Sequence, residues 1–313
     1  MRPAFSVVLL TTLIGAGQGL FLALYATELA AHARLVPMPG VALLAGAGAV
    51  VVALTGAGLV ASIFHLGHPE RGWRAAACWR TSWLSREVIV LPLFMAGAFA
   101  WTAAHYLGIE VTGPLGAVTA LLALALFLCT GMVYAAIRTL QEWATPLTPI
   151  NYLLLGCASG AALAAAIAAV GAGAGSPLAR AYAIAALLLT LAGAATRLAS
   201  LVRNRALRPQ TTLQTAIGVP HPRIAQVAQG AMGGSFNTRE FFHGATREKM
   251  RAIRWSFLLL AFAAPLLLLA FGRDSAPALV LAFLVQYAGL LAERWYFFAE
   301  ANHPQNLYYQ AIS

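Results

Sequence analysis

Eight stretches of about twenty residues run through this chain without an Asp, Glu, Lys or Arg, the length an α-helix needs to cross the hydrocarbon core of a bilayer. They lie at roughly 4–27, 40–64, 88–107, 114–137, 152–172, 181–196, 256–272 and 276–292. Hydrophobic residues make up 60% of the chain and charged ones only 10%, against about 25% charged in a soluble domain. This excludes a soluble enzyme, a disordered chain and a secreted disulfide scaffold. The expected fold is all-α and integral to the membrane: one domain over 1–313, a bundle of eight transmembrane helices. Arg2 before the first run invites a signal-peptide reading. The run is long and no small-x-small site closes it, so it reads as a retained helix.

Eight spans put both termini on one side, here called side A. Seventeen of the 20 basic residues fall there. Only Arg34, Arg180 and Arg273 fall on the opposite side B. Basic loops stay inside the cell, so side A, with both termini, is expected to be cytoplasmic in a bacterial inner membrane. A net charge of +10 would suggest nucleic acid in a soluble domain. No basic stretch here is long enough for one; anionic lipid is the expected partner of these loops, and nucleic acid is not expected.

Inside the spans the residues are mostly Ala, Leu, Val and Gly, and no buried acid or base is expected there. That argues against a secondary transporter, whose polar residues gather at the bilayer midplane. Gly46, Gly48, Gly56 and Gly58, and the pair Gly156 and Gly160, read as sites of close helix approach. Cys78, Cys129 and Cys157 are isolated, with no C-x-x-C, so neither an iron–sulfur cluster nor a metal site is expected in this chain. His65 and His68 lie at side A and His105 near side B, so no histidine pair shares a depth for haem, and none is expected. Glu28 reads as interfacial on side B. Glu293 and Arg294, adjacent at the end of the last span, point about 100° apart on a helix and should each pair with a neighbouring helix.

Two side-A loops hold the remaining polar chemistry. The first, 64–87, reads FHLGHPERGWRAAACWRTSWLSRE. Trp73, Trp79 and Trp83 suit interfacial anchoring. His65 and Glu87 sit at the membrane boundary, where an ionisable group is costly and a functional candidate. An imidazole beside a carboxylate suits proton exchange with a lipid-soluble carrier; structural pairing with Arg is the competing reading. The second loop, 203–255, is long, basic and rich in Gly and Pro. It reads either as a solvated basic loop or as a docking surface.

The 64–87 string resembles the signature of the dimethyl sulfoxide reductase membrane-anchor family, and the likeness extends over the whole chain. The resemblance implies an anchor in a three-part complex, in which a molybdopterin catalytic subunit and a four-cluster iron–sulfur subunit exchange electrons with quinone (ubiquinone or menaquinone). It also implies no haem in the anchor. The family's quinol-linked His and Glu fall on His65 and Glu87. Placement adds Arg71, Arg74 and Arg86 as partners of a quinone oxygen or of Glu87, Trp73 and Trp83 as ring walls, and His68 as a further pocket candidate. The stretches TLQTAIGVPHPRI and MGGSFNTREFFHG resemble the sulfite-oxidising branch of the family, which implies sulfite as terminal donor and the iron–sulfur subunit docked on the cytoplasmic face. The alternative is an S- or N-oxide reductase oxidising menaquinol.

Overall fold

The computed structural model describes residues 1–64, 66–208, 211–227 and 240–308, and every regular element among them is helical. Eight helices are long and apolar enough to span a membrane. They are α1 (Phe5–His32), α2 (Val41–Ile63), α3 (Trp83–Leu107), α4 (Thr112–Ala135), α5 (Leu147–Ala172), α6 (Pro177–Ala206), α7 (Arg247–Phe271) and α8 (Ala276–Glu300). All eight apolar runs are therefore helices. Successive helices alternate in direction, so the starts of α1, α3, α5 and α7 share side A with the ends of the other four.

Several helices outrun their apolar runs. α3 begins at Trp83 instead of 88, because Ser82 caps it: its Oγ accepts from Ser85 N at 3.3 Å. Glu87 thus sits within the helix, in its second turn. α6 continues to Ala206, and α7 starts at Arg247 behind the Thr246 cap, whose Oγ1 accepts from Lys249 N. Arg and Lys end an apolar run without ending a helix, since both are good helix formers.

The centre of the bundle is the α1–α5 contact. Gly15 and Gly19 of α1 face Gly156 and Gly160 of α5. A Cβ on Gly19 would run into the Gly156 backbone, and one on Gly160 into the backbone of Gly19 and Leu20. The two helices approach backbone to backbone, as small residues allow in lipid. Gly160→Ala should therefore cost about 1–3 kcal/mol through overpacking. Gly46→Ala, whose new methyl meets nothing within 4 Å, should be neutral or stabilising. Thermal unfolding of the purified protein checks both.

One expectation fails inside the bundle. Glu28 is not interfacial: it is completely buried. α1 runs on to His32, which carries Glu28 inward against α3. There Trp101 Nε1 donates to Glu28 Oε2 at 2.8 Å, while His105 Nε2 and His32 Nε2 lie 3.3 and 3.7 Å from Oε1. The apolar runs themselves carry no charge, and the buried charges lie just past their ends. Arg197, Glu293 and Arg294 are only 2%, 1% and 5% exposed, and each finds a partner on its own or a neighbouring helix.

A clasp closes side A. Met1 donates its amino group to Ala301 O at 2.8 Å, and Arg2 N donates to Glu240 O at 2.9 Å. The Phe241 and His303 rings stack with centroids 3.8 Å apart, and Asn306 Nδ2 donates to Phe241 O. Burial, and then the nearby N-terminal charge, hold His243 and His303 below the usual histidine value of 6.5. The folded state thus favours the neutral rings. Their contribution is complete above 6.5 and is lost as the pH falls below it. Spin labels on Ala245 and Pro304 should report a short, narrow distance at neutral pH that broadens on acidification.

Candidate functional site

Glu87 is held by its neighbours on the inner side of α3. Its Oε1 accepts from Thr130 Oγ1 of α4 at 2.7 Å. The carboxyl faces a cleft among α1, α3, α4, α5 and α8, lined by Thr11, Thr12, Gln18, Thr130, Tyr152 and Arg294 together with apolar residues. The glycine seam opens this space, since Gly15 and Gly156 contribute to its wall. Inside, the cleft has room of about 20 Å³ for water, enough for a single molecule. Glu87 itself is half-buried.

The donors around the cleft have partners of their own. The Thr11 and Thr12 hydroxyls bond back to carbonyls of their own helix, and Gln18 Nε2 donates to Ala123 O at 2.8 Å. Tyr152 OH and Arg294 Nε are both buried, and the phenol interacts with the Arg294 side chain and with Tyr134. The Arg294 guanidinium lies over the Tyr152 ring, 3.7 Å from its centroid, a cation–π contact at short range. Behind it Glu293 Oε1 meets Arg197 Nε of α6 at 2.7 Å, and Glu293 Oε2 lies 3.6 Å from Arg294 Nη2. Glu293 thus pairs with a neighbouring helix as expected, but the adjacent Glu and Arg also stay within reach of each other.

The other candidates are distributed differently. His65 lies outside the described residues. Residues 69–78 form a 3-10 helix on the side-A surface. There His68 Nδ1 and Arg71 Nε approach Glu70 Oε1 at 3.0 and 3.7 Å, all well exposed. Arg74 lies over the exposed Trp73 ring. Arg86 turns outward, over the Trp83 ring and onto the carbonyls of Trp79 and Arg80 at 2.9 Å each. The structure therefore gathers Arg71, Arg74, Arg86, Trp73 and Trp83 into an outer basic, aromatic face, and only Glu87 into the cleft. Of the second loop, 213–217 is a short capped helix with exposed surroundings. Most of MGGSFNTREFFHG falls at 228–239, outside the described residues. Gln18, Thr130 and Tyr152 were not expected. Their one visible signal is polarity within an apolar run.

An apolar eight-helix bundle that gathers its charges at one end, beneath an exposed Arg and Trp face, is a membrane anchor on which water-soluble subunits can sit. The family model described as "DMSO reductase anchor subunit (DmsC)" matches residues 1–309, and the chain belongs to that family. It is also similar to a sulfite dehydrogenase subunit of Allochromatium vinosum, with 52% identity covering the whole of both chains. The chain is thus a membrane-anchor subunit of an oxidoreductase complex of this kind.

Proposed function

We propose that this anchor passes electrons from an iron–sulfur partner to membrane quinone during sulfite oxidation, with Glu87 as the proton-handling group. The observation that carries the reading is the placement of Glu87: a carboxyl held by Thr130 and facing a polar-lined cleft at side A. The whole-length likeness to a protein named as part of a sulfite dehydrogenase supports sulfite as the electron source. Oxidation of sulfite with water gives sulfate, two protons and two electrons. That chemistry belongs to a molybdopterin subunit, and an iron–sulfur subunit joins it to this chain.

A quinone suits the residues present. Its carbonyl oxygens need a group that delivers a proton, and Glu87 offers one from a cleft that Tyr152 and Arg294 also line. The interior admits one water rather than a ring, so Glu87 is reached from its exposed side. When bound, a quinone supplies a two-electron, two-proton couple. Glu87 holds the transferable proton at its carboxyl, and Thr130 fixes that carboxyl through Oε1. The apolar wall of Leu10, Ile14, Phe127, Leu155 and Leu290 limits water. The outer face of Trp73, Arg71, Arg74 and Arg86 is the docking surface for the iron–sulfur partner, because electron transfer weakens steeply with distance.

The alternation of the helices leaves Arg34, Arg180 and Arg273 at the other end, and Arg180 there pairs with Asp274 at 2.7 Å. This supports side A as cytoplasmic. A reporter fused to the C-terminus should be active inside the cell; activity outside would overturn that orientation and the cytoplasmic sulfite reading with it. The family model's own description favours a second reading, reduction of an S-oxide at the expense of quinol. The purified complex decides between them: sulfite-dependent reduction of a quinone analogue supports the first, and quinol-dependent reduction of an S-oxide without sulfite activity supports the second.

A further inference from the structure

A second cavity lies away from Glu87. It is a groove of about 620 Å³ between α1 and α6, in the side-B half of the bundle, with α5 as its floor. α1 and α6 both pack on α5 and leave this gap between themselves. Only near side B are they bridged, where Thr27 Oγ1 and Tyr182 OH lie 2.7 Å apart. Small side chains keep the gap open: Ala23, Ala26 and Ala30 on α1, Ala181 and Ala185 on α6. Along α1 the lining runs from Gly19 to Ala30, about 17 Å of helix. That is about half the hydrocarbon thickness of a bilayer, so the groove belongs to one leaflet. The turn Val36–Pro39 and the start of α6 line its side-B end.

The lining suits hydrocarbon. Its hydroxyls are occupied: Thr27 bonds Tyr182 and Ala23 O, and Ser176 Oγ accepts from Ala179 N. A void here would forfeit dispersion contacts along every wall. The tail of a quinone at Glu87 does not reach it, because the Glu87 cleft lies on the other face of the α1–α5 seam, where Gly19 and Gly160 meet backbone to backbone. A transmembrane helix is too thick: about 10 Å across, a 17 Å length of it takes up roughly 1300 Å³, and it would have to pass the 36–39 turn. An acyl chain fits both the width and the length.

A polar anchor stands at the mouth. Arg34 lies in the turn between Ala30 and Val36, both of which line the groove. Its φ is 59°, a left-handed conformation that strains any residue with a Cβ and that glycine adopts freely. The side chain is exposed, and its guanidinium has no hydrogen-bond or ionic partner among the described residues. Arg180, on the same side, is held by Asp274 at 2.7 Å. A guanidinium unpaired at the membrane surface matches a phosphate, which accepts two of its N–H groups at once.

We propose that this groove holds one acyl chain of a glycerophospholipid from the side-B leaflet, with Arg34 on the phosphate of that lipid. The chain completes the packing that α1 and α6 do not make with each other.

The whole complex, washed exhaustively in detergent and then extracted for lipid, provides the test. The native complex should retain one phospholipid per anchor chain. Ala26→Phe fills the groove from α1, where Ala26 is exposed, and Ala185→Phe fills it from α6. Each should lower the retained phospholipid by about tenfold or more while the complex still assembles. Arg34→Gln should lower it several-fold without filling anything. A photoreactive residue at Ala181, which serves if both filled variants fail to assemble, should capture a phospholipid. Phospholipid retained equally by the native complex and both filled variants sits elsewhere and overturns the assignment, as does a native complex that retains none. Loss of a prenylated quinone in place of a phospholipid makes the groove a quinone-tail site, and capture of a second polypeptide at Ala181 makes it a helix-docking site; either result overturns the lipid. Retention unaffected by Arg34→Gln overturns the phosphate contact.

Discussion

Glu87→Gln should lower sulfite-dependent quinone reduction by about 10²–10⁴-fold, the range a positioned acid or base contributes. The substitution keeps the shape of the side chain and its capacity to accept from Thr130 Oγ1, now 2.7 Å away, so the helix packing survives. It removes only the transferable proton. Reduction of the clusters by sulfite should continue at the native rate, since that chemistry lies in other subunits. A passive anchor predicts the opposite, turnover unchanged in the variant. Turnover and cluster reduction measured on one preparation separate the two. Thr130→Val provides a milder companion: it frees Glu87 Oε1 without changing its charge, and should cost less than Glu87→Gln does.

Arg197→Ala should destabilise the protein by about 3–5 kcal/mol, because it strips a buried partner from an acid that cannot reach water. Arg197 is 2% exposed, and its guanidinium also lies over the rings of Phe257 and Tyr296. It thus ties α6 to α7 and α8 at once. The variant should be recovered in low yield and unfold at a lower temperature in detergent. Replacing Arg197 and Glu293 together with apolar residues of similar volume should restore part of that stability, because the closest ion pair is then removed whole, while Arg294 and Glu300 each lose one partner. Failure of the pair to recover would mean that the ring contacts, rather than the ion pair, hold these helices.

The spans were legible because a helix in lipid must be apolar for its whole length, and nothing else in the chain imitates that. The ends of the helices were not, because Arg86, Glu87, Arg203 and Arg205 interrupt hydropathy while remaining helical. Glu87 stood out as the first acid before an apolar run. Its partners did not: Thr130 and Tyr152 come from other helices, and only the packing of α4 and α5 against α3 and α1 brings them near. Gly156 and Gly160 were legible as a seam, whereas their facing pair, Gly15 and Gly19, drew no notice. Glu28 was misread because proximity to a run's end resembles proximity to water. One further turn of α1 was enough to bury it beside Trp101 and His105.

The glycine seam also sets an order of events in biosynthesis. α1 enters the bilayer first, but the face carrying Gly15 and Gly19 has no partner until α5 has been made, after three intervening helices have been inserted. During that interval Gln18 and Glu28 already find partners on α4 and α3, while Thr27 and Thr12 still await Tyr182 of α6 and Tyr287 of α8. Contacts distant in sequence form late and leave half-assembled chains vulnerable. The first helix made is thus among the last to be locked in place, and a chain stalled before α5 presents the insertion and quality-control machinery with a glycine face that nothing yet covers.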